Sequence, residues 1–400
     1  MSTPVRQHAL LRETRRPRIY TVSFQNSGTG GAGERQDAAR GLVANVSIGG
    51  GAVRNDFDRI PIFQRPICNA TWDHTERKWR DFVWQGEPRF SWSPTEPYRE
   101  VLYRCRPFWY KIDLNGTYSP ASVSVSDAPQ EGFFLAPMFK NGSDFVYRPC
   151  FQAGLGADGL LHSRAGLAPL IAQATELMER VRAYDPCAHT ESYADLISDW
   201  MLMAVEFGNR RMQDIMMGRV KGVQANYYID LLPSGEALTQ SSATSGTPIN
   251  DGYSALFWRG KENAWGNATS YIFDFSAEQI EGESYRVFYL SDPTKWAAEH
   301  NEHYEELAAT MTFRNYTWAH AWRTDPKHPW FLLPAAYTDS STRGVGAALF
   351  GGGDGKNLCV FASGYSYSQS GVSPLKLTVI TASLNDRRGQ GGARLILEEG

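Results

Sequence analysis

The sequence predicts an α+β protein in which short strands dominate and two helices lie together near the middle of the chain. Strands are expected because 37 glycines and 21 prolines interrupt short runs of branched and aromatic residues. Helices are expected at two stretches between residues 169 and 208, where apolar side chains recur at helical spacing. Four hundred residues, 42% of them hydrophobic, allow a substantial core and two or three domains.

Residues 1–55 are predicted to form a flexible arm rich in arginine and glycine. Residues 1–18 hold five arginines against one acid, and residues 26–51 contain mainly glycine, alanine and serine with few apolar side chains. Such a stretch buries too little apolar surface to offset the entropy of ordering by itself. We expect it to order by docking on other subunits or to support oligomerisation, and a floppy tail is the alternative.

Residues 56–151 are predicted to form a small aromatic-rich β domain. Proline and glycine separate runs such as residues 101–105 (VLYRC) and residues 122–125 (SVSV), which is typical of strands. Five tryptophans lie in this segment: Trp72, Trp79, Trp84, Trp92 and Trp109. Packing in a core is favoured for them, and a surface that stacks on carbohydrate is the alternative.

Two helices are predicted next. The first has Pro169 near its start and ends at Asp185, with its apolar positions at Leu170, Ala174, Leu177, Met178 and Val181. The second starts near the N-cap Thr190 and ends at Gly208. Its predicted apolar face comprises Tyr193, Leu196, Ile197, Trp200, Met203, Ala204 and Phe207.

A third helix is predicted over Pro293–Met311, with Asp292 as its cap. His300 and His303 on this helix suggest a metal site, but their spacing differs from that of the H-E-x-x-H motif. An exposed polar helix face is therefore the favoured interpretation, and we expect no metal ion. From residue 344 onward, short strands and glycine-rich loops are expected.

The most distinctive motif is FWRGKENAWGN at residues 257–267. Trp258 and Trp265 bracket a close Arg259/Glu262 pair, and Asn267 closes the motif. A buried indole needs an acceptor for its N–H, and a buried ion pair needs full hydrogen bonding. These residues are predicted to fix loops against a core, which is a structural role and not a catalytic one.

The motif resembles the signature YRGxENxWGN of tailed-bacteriophage structural proteins whose C-terminal part has a C-type-lectin-like fold. Three further blocks are similar to family motifs in the same order: residues 106–111 (RPFWYK), residues 126–139 (SDAPQEGF followed by APMF) and residues 391–395 (GGARL). The resemblance covers residues 100–397. It implies a C-type-lectin-like domain at residues 152–400, distantly similar to formylglycine-generating enzymes and to retroelement-diversified variable proteins, with a structural role for Arg394.

The resemblance implies that loops near the C-terminus of this scaffold carry a recognition surface. Aromatic side chains alternating with adaptable polar groups, and paired charged groups, suit such contacts. The receptor-binding candidates are Tyr365, Tyr367, Gln369, Asn385, Asp386, Arg387 and Arg388, with Trp322 and Trp330 as secondary candidates. An edge strand and a solvated turn are the alternative interpretations of the two main stretches.

Composition and motifs narrow the function classes. A formal net charge of −3 gives no electrostatic reason to expect nucleic acid, and no apolar run approaches the roughly 20 residues that span a bilayer. Five scattered cysteines without a CxxC pair indicate buried free thiols. The sugar motifs of calcium-dependent lectins and the GxSxG elbow of hydrolases are absent from the sequence. We expect no cofactor and no membrane insertion.

The resemblance therefore implies a non-enzymatic virion protein, made in the bacterial cytoplasm, from a phage tail tip, tail fibre or head fibre. Its expected partners are other virion subunits and a glycan or protein on the host surface, and a homo-oligomer, with a trimer as one option, is expected. The main alternative is a decoration or assembly subunit that binds no receptor. A formylglycine-generating-type oxidase that uses Cys359 is the remote alternative.

Overall fold

The computed structural model describes most of the chain from residue 17 to residue 399. The described residues are 17–27, 30–46, 53–115, 120–140, 142–219, 231–240, 246–268, 270–281, 284–297, 300–312, 317–338, 348–349, 358–362, 377–380 and 391–399.

Twenty-four strands and two α-helices run through these residues. The helices are α1 (Ala174–Tyr184) and α2 (Tyr193–Phe207). The strands are β1 (Ile19–Gln25), β2 (Glu34–Asp37), β3 (Ile67–Asp73), β4 (Lys78–Trp84), β5 (Arg99–Cys105), β6 (Trp109–Asp113), β7 (Pro120–Ser126), β8 (Phe134–Leu135), β9 (Val146–Pro149), β10 (Gly154–Leu155), β11 (Leu161–His162), β12 (His189–Thr190), β13 (Phe257–Trp258), β14 (Lys261–Glu262), β15 (Ser270–Glu281), β16 (Ser284–Leu290), β17 (Tyr304–Glu306), β18 (Met311–Thr312), β19 (Thr317–Thr324), β20 (Leu332–Thr338), β21 (Ala348–Leu349), β22 (Leu358–Ala362), β23 (Leu377–Ile380) and β24 (Leu395–Ile396).

The strands form several antiparallel sheets. A five-stranded sheet has the order β2-β1-β7-β6-β8, and a four-stranded sheet has the order β4-β3-β5-β9. A six-stranded sheet has the order β17-β16-β15-β22-β23, with β18 also paired to β16, and a three-stranded sheet has the order β20-β19-β21. The protein is therefore a mixed, sheet-rich α/β protein with two α-helices in its described part, as the sequence predicts.

Helix α2 is the central element. Ser192 caps it in a reciprocal capping box with Asp195, and Gly208 ends it in the left-handed conformation. The predicted N-cap at Thr190 is wrong, because that residue pairs with β24 as part of β12. The predicted single apolar face is also incomplete: α2 packs against β7 and β1 and is buried all round, except at Leu196 and Phe207.

Helix α1 is shorter than predicted. It begins at Ala174 and ends where Asp185 leaves the helical conformation, so the predicted end is correct. The predicted start near Pro169 is wrong, because Pro169 forms an isolated β-bridge with Gly154. That bridge holds the chain extended before the helix begins.

The predicted third helix is wrong. In the described part of this stretch, helical structure is confined to the 3-10 turn Pro293–Lys295, whose first N–H group is capped by Asp292 as expected. The chain then supplies β17 and β18, which pair along β16. His300 lies against the ring of Phe288 instead of on a helix face, with ring centroids 3.9 Å apart. Pairing to the edge of a sheet has overridden the local helical pattern.

The N-terminal segment is more ordered than predicted. In β1, Tyr20, Val22 and Phe24 alternate into the core, and the strand lies between β2 and β7. The prediction of a flexible arm is therefore wrong for these residues, while residues 1–16 and 47–52 lie outside the described part. The main hydrophobic core contains residues from Tyr20 to Leu333, so it does not divide at positions 55 or 151.

Neither α-helix could span a membrane. Helices α1 and α2 have 11 and 15 residues, and no described helix is both long and apolar enough to cross a bilayer.

Candidate functional site

The FWRGKENAWGN motif forms a two-stranded hairpin, β13 and β14, next to helix α2. Its turn places Gly260 at a φ of 89°, and a Cβ there would lie 2.7 Å from the Cβ of Tyr103. Glycine is therefore required both for the backbone conformation and for the close approach. Trp258 and Trp265 are both buried, and each indole N–H has an acceptor: a carboxylate of Glu206 for the first and backbone carbonyls for the second.

The predicted Arg259/Glu262 pair does not form. Arg259 instead contacts Glu206 of α2 through two hydrogen bonds of 2.7 and 2.8 Å, and reaches Asp58 at 3.0 Å. Glu262 accepts hydrogen bonds from the backbone N–H groups of Gly235 and Ala237. The prediction is wrong because the hairpin directs the two side chains to different neighbours, although both side chains are engaged as expected of buried charges.

A buried ionic cluster lies beneath the hairpin. Lys261 contacts both Asp199, at 2.8 Å, and Glu191, and Arg65 contacts Asp199 from the other side. The Arg65 guanidinium lies 4.3 Å from the ring centroid of Trp258. Burial by itself would raise the pKa of Asp199, but the charges of Arg65 and Lys261 outweigh that effect and lower it to about 2.

Arg394, from the block GGARL, joins the same cluster. Its side chain is 1% exposed and donates to the backbone carbonyls of Cys150 at 3.1 Å and Asn263 at 2.9 Å. It also donates to the carbonyl of Glu262 and lies 3.6 Å from the carboxylate of Glu191. One guanidinium therefore ties the end of the chain to the motif hairpin and to the segment before α2.

Helix α2 carries three buried acids, each with a cationic partner. Asp199 and Glu206 pair as described, and Asp195 accepts from Arg148 at 2.7 Å. Arg148 also contacts Glu398 at 3.2 Å. Sequence reasoning missed this set of residues, although acids at i, i+4 and i+11 of an otherwise apolar helix are a signal that could have found it.

Asn267 holds the far end of the motif. It adopts a positive φ of 60°, and its side chain exchanges hydrogen bonds of 2.9 and 3.0 Å with the backbone of Leu232. Its amide also donates to Gln152 at 3.2 Å. A left-handed backbone and a side chain that both donates and accepts suit asparagine at this position.

Two of the predicted receptor-binding residues lie in the described part of the chain, and the other seven do not. Trp322 and Trp330 are 6% and 8% exposed, so the prediction that they contact a receptor is wrong. The backbone of Trp322 exchanges hydrogen bonds with the side-chain amide of Asn26, and Trp330 packs on Tyr289 with ring centroids 5.2 Å apart. The main candidates Tyr365, Tyr367, Gln369, Asn385, Asp386, Arg387 and Arg388 lie outside the described residues.

A pocket of about 250 Å³ lies beside Arg259, Glu206 and Trp258. Arg259 and Lys261 of the hairpin contact acids outside it, Glu206 and Asp199 of α2, so the arrangement is suited to a structural role. No cluster of three His, Cys, Asp or Glu side chains suited to a metal ion occurs among the described residues. Burial raises the pKa of Cys68 to about 12 and that of Cys105 to about 11, so both thiols stay protonated.

No protein-family model and no curated protein matches this chain.

Asp274 links the six-stranded sheet to the start of α2 and is expected to make stability depend on pH. Both of its carboxyl oxygens accept from the backbone N–H of Tyr193, at 2.8 and 3.0 Å. Burial raises the pKa of Asp274 to about 7. The folded state therefore keeps a proton that the unfolded chain loses above its usual pKa, and this contribution to stability decreases as pH rises from about 4 to about 7.

We expect the variant Asp274→Asn, which is neutral at every pH and keeps one acceptor, to lack this slope. Its free energy of unfolding relative to the parent should rise between about pH 4.5 and about pH 7.5, by no more than about 1.4 kcal/mol per pH unit. Urea unfolding at several pH values measures the difference. A constant difference across the range would show that Asp274 is ionised in the folded protein.

Proposed function

We propose that this chain is a non-enzymatic structural protein of a tailed-phage virion, located in a tail tip, tail fibre or head fibre, which binds a receptor on the host surface. The observation that carries the proposal is the meeting of all four family-like sequence blocks around helix α2. Blocks far apart in sequence, from residue 106 to residue 395, form one packed frame.

Two of the blocks meet through the buried ionic cluster. The hairpin block contacts α2 through Arg259 and Lys261, and the block at residues 391–395 contacts the hairpin through Arg394. Arg259 and Arg394, which match family motifs, thus make contacts that join segments distant in the sequence.

The other two blocks meet near Ser198 of α2. The backbone N–H of Met138 donates to the hydroxyl of Ser198 at 3.2 Å, and the carbonyl of Met138 accepts from Arg148 at 3.4 Å. Phe108, from the block at residues 106–111, packs on Phe139 with ring centroids 5.9 Å apart. This convergence supports the resemblance, and we propose on that basis that residues 152–400 have a C-type-lectin-like fold.

The receptor-binding segments would extend from the hairpin formed by β22 and β23. Residues 363–376 connect the two strands, and residues 381–390 follow β23 at the other end of the hairpin. The two stretches of candidate residues are thus attached at opposite ends of one strand pair. We propose residues 365–369 as the main contact with the receptor. Because the two stretches are attached at opposite ends, each is tested by its own variant.

The remote alternative, an oxidase, requires an accessible thiol of low pKa. The thiols of Cys68 and Cys105 are buried and have raised pKa values, which disfavours this chemistry at those positions. Cys359 lies in β22, and its side chain is outside the described part. Labelling of the native protein with a thiol reagent tests it, because rapid modification of Cys359 would favour the oxidase.

Binding of the fluorescently labelled protein to cells of the phage's host tests the proposal. We expect saturable binding, with at least about tenfold weaker affinity in the variant Tyr365→Ala/Tyr367→Ala. The variant Arg387→Ala/Arg388→Ala reports on the second stretch. If the parent protein is folded and does not bind host cells, the decoration or assembly subunit is favoured. Light scattering of the same sample tests the proposed homo-oligomer.

A further inference from the structure

A groove of about 470 Å³ lies on the four-stranded sheet, away from the motif hairpin. It is lined by side chains from β4, from residues 138–148 and from residues 397–399. We infer that this groove binds an uncharged sugar ring of a glycan. The inference that this groove is part of the receptor-binding site rests on the proposed function, whereas the inference that it binds a sugar does not.

Aromatic rings form one wall of the groove. Phe82 of β4 and Tyr147 of β9 are half-buried, and their ring centroids are 4.9 Å apart. Phe145 also lines the groove and is half-buried. Partly exposed aromatic faces suit the apolar C–H face of a sugar ring, and the phenol of Tyr147 adds a polar edge.

Polar groups at the groove both donate and accept. The ammonium group of Lys140 and the hydroxyl of Ser143 are donors at the groove. Asp144 and Glu399 add exposed carboxylates at the rim. Sugar hydroxyls donate and accept, so they can pair with these donors and with the rim carboxylates in one site.

The charges favour a neutral ligand over an anionic one. The two cationic side chains of the groove, Lys140 and Arg148, both contact Glu398, at 2.7 and 3.2 Å. Burial alone would raise the pKa of Glu398, but these cations lower it to about 2, so it stays ionised. Both cations of the lining are therefore already paired, and its two further carboxylates, Asp144 and Glu399, disfavour an anionic ligand. The nearby guanidinium groups of Arg104 and Arg106 lie over the ring of Phe145, 4.2 and 5.3 Å from its centroid.

The contacts of Glu398 also fix the floor of the groove. Arg148 is 3% exposed at its side chain and is held by Asp195 at 2.7 Å from helix α2. The floor is therefore tied to the same frame as the motif hairpin. A rigid floor lowers the ordering cost of binding a small ligand.

Saturation-transfer NMR with the methyl glycosides of glucose, galactose, mannose, rhamnose and N-acetylglucosamine tests the inference on the full chain. We expect transfer to the ring C–H protons of at least one glycoside, reduced at least about fivefold in Phe82→Ala/Lys140→Ala. The matched control is Phe134→Ala/Lys111→Ala, which removes an exposed ring and an exposed lysine from β8 and β6. This control should keep the full signal.

A second variant covers the case in which loss of Phe82 disturbs folding. Lys140→Gln/Asp144→Asn changes two exposed side chains and should weaken the same glycoside signal while the thermal midpoint is kept. Absence of transfer from all five glycosides, or transfer that both groove variants keep, would overturn the inference. Binding of an uncharged serine–valine tetrapeptide without any sugar binding would assign the groove to a peptide and would also overturn it.

The binding of labelled protein to host cells separates this inference from the proposed function. If the parent binds cells and both groove variants bind equally well, the groove is not the receptor subsite and the proposed function stands. If glycosides bind the groove but the protein binds no host cells, sugar binding at the groove stands and the proposed function falls.

Discussion

Replacing Asp199 by alanine is expected to destabilise the protein by about 3–5 kcal/mol. Asp199 is the shared partner of Arg65 and Lys261, and all three side chains are no more than 3% exposed. Removing the carboxylate leaves two cations buried, with Glu191 as the remaining acid in contact with Lys261. The cost is large because burial of an uncompensated charge is much less favourable than its hydration.

Chemical unfolding followed by tryptophan fluorescence measures the effect of Asp199→Ala. The matched control is Glu176→Ala on helix α1, which removes an exposed acid that lies 3.9 Å from Arg180. That change should alter stability by less than about 0.5 kcal/mol, because exposed ion pairs contribute little. Similar effects for the two variants would contradict a buried ionic cluster that holds α2 in place.

Replacing Arg394 by methionine is expected to have an effect of similar size, about 3 kcal/mol or more. Methionine fills much of the same space but donates no hydrogen bonds. The carbonyls of Cys150 and Asn263 would lose their contacts with the guanidinium, and Glu191 would lose a neighbouring positive charge. The hairpin and the C-terminal segment would no longer be tied together.

Hydrogen exchange of the backbone amides separates this effect from a general loss of stability. In Arg394→Met, protection should decrease first around residues 261–263 and 391–396, which the guanidinium joins. The matched control Arg180→Met removes a half-exposed arginine from α1 and should leave the exchange pattern unchanged. A uniform decrease in protection throughout Arg394→Met would contradict a local role for this side chain.

The sequence predicts some elements well because their signals are local. The glycine that ends α2 and the aspartate that ends α1 interrupt helical spacing at the positions where the helices stop. The predicted third helix does not form because residues 304–306 and 311–312 are strands that pair with β16. The sequence does not predict strand β1, because the average composition of residues 1–55 is polar and glycine-rich and its short alternating run at Ile19–Gln25 contributes little to that average.

The sequence predicts which kinds of side chain form the candidate site, but it does not predict which residues these side chains contact. The motif indicates buried tryptophans and engaged charges, and both are found. That Arg259 contacts Glu206, 53 positions away, depends on how α2 packs against the hairpin, which spacing along the chain does not contain. Trp322 and Trp330 show the same limit, because a tryptophan beside a loop has the same local sequence whether it faces solvent or the core.

We propose that this protein binds the receptor of a tailed phage, and competition for phage adsorption is the decisive test of this proposal. Host cells are incubated with saturating purified full-length protein and then exposed to the phage, and unadsorbed particles are counted. We expect the protein to slow adsorption in a dose-dependent way and the variant Tyr365→Ala/Tyr367→Ala to slow it much less. Adsorption at the full rate in the presence of saturating, folded protein would show that the protein does not bind the receptor.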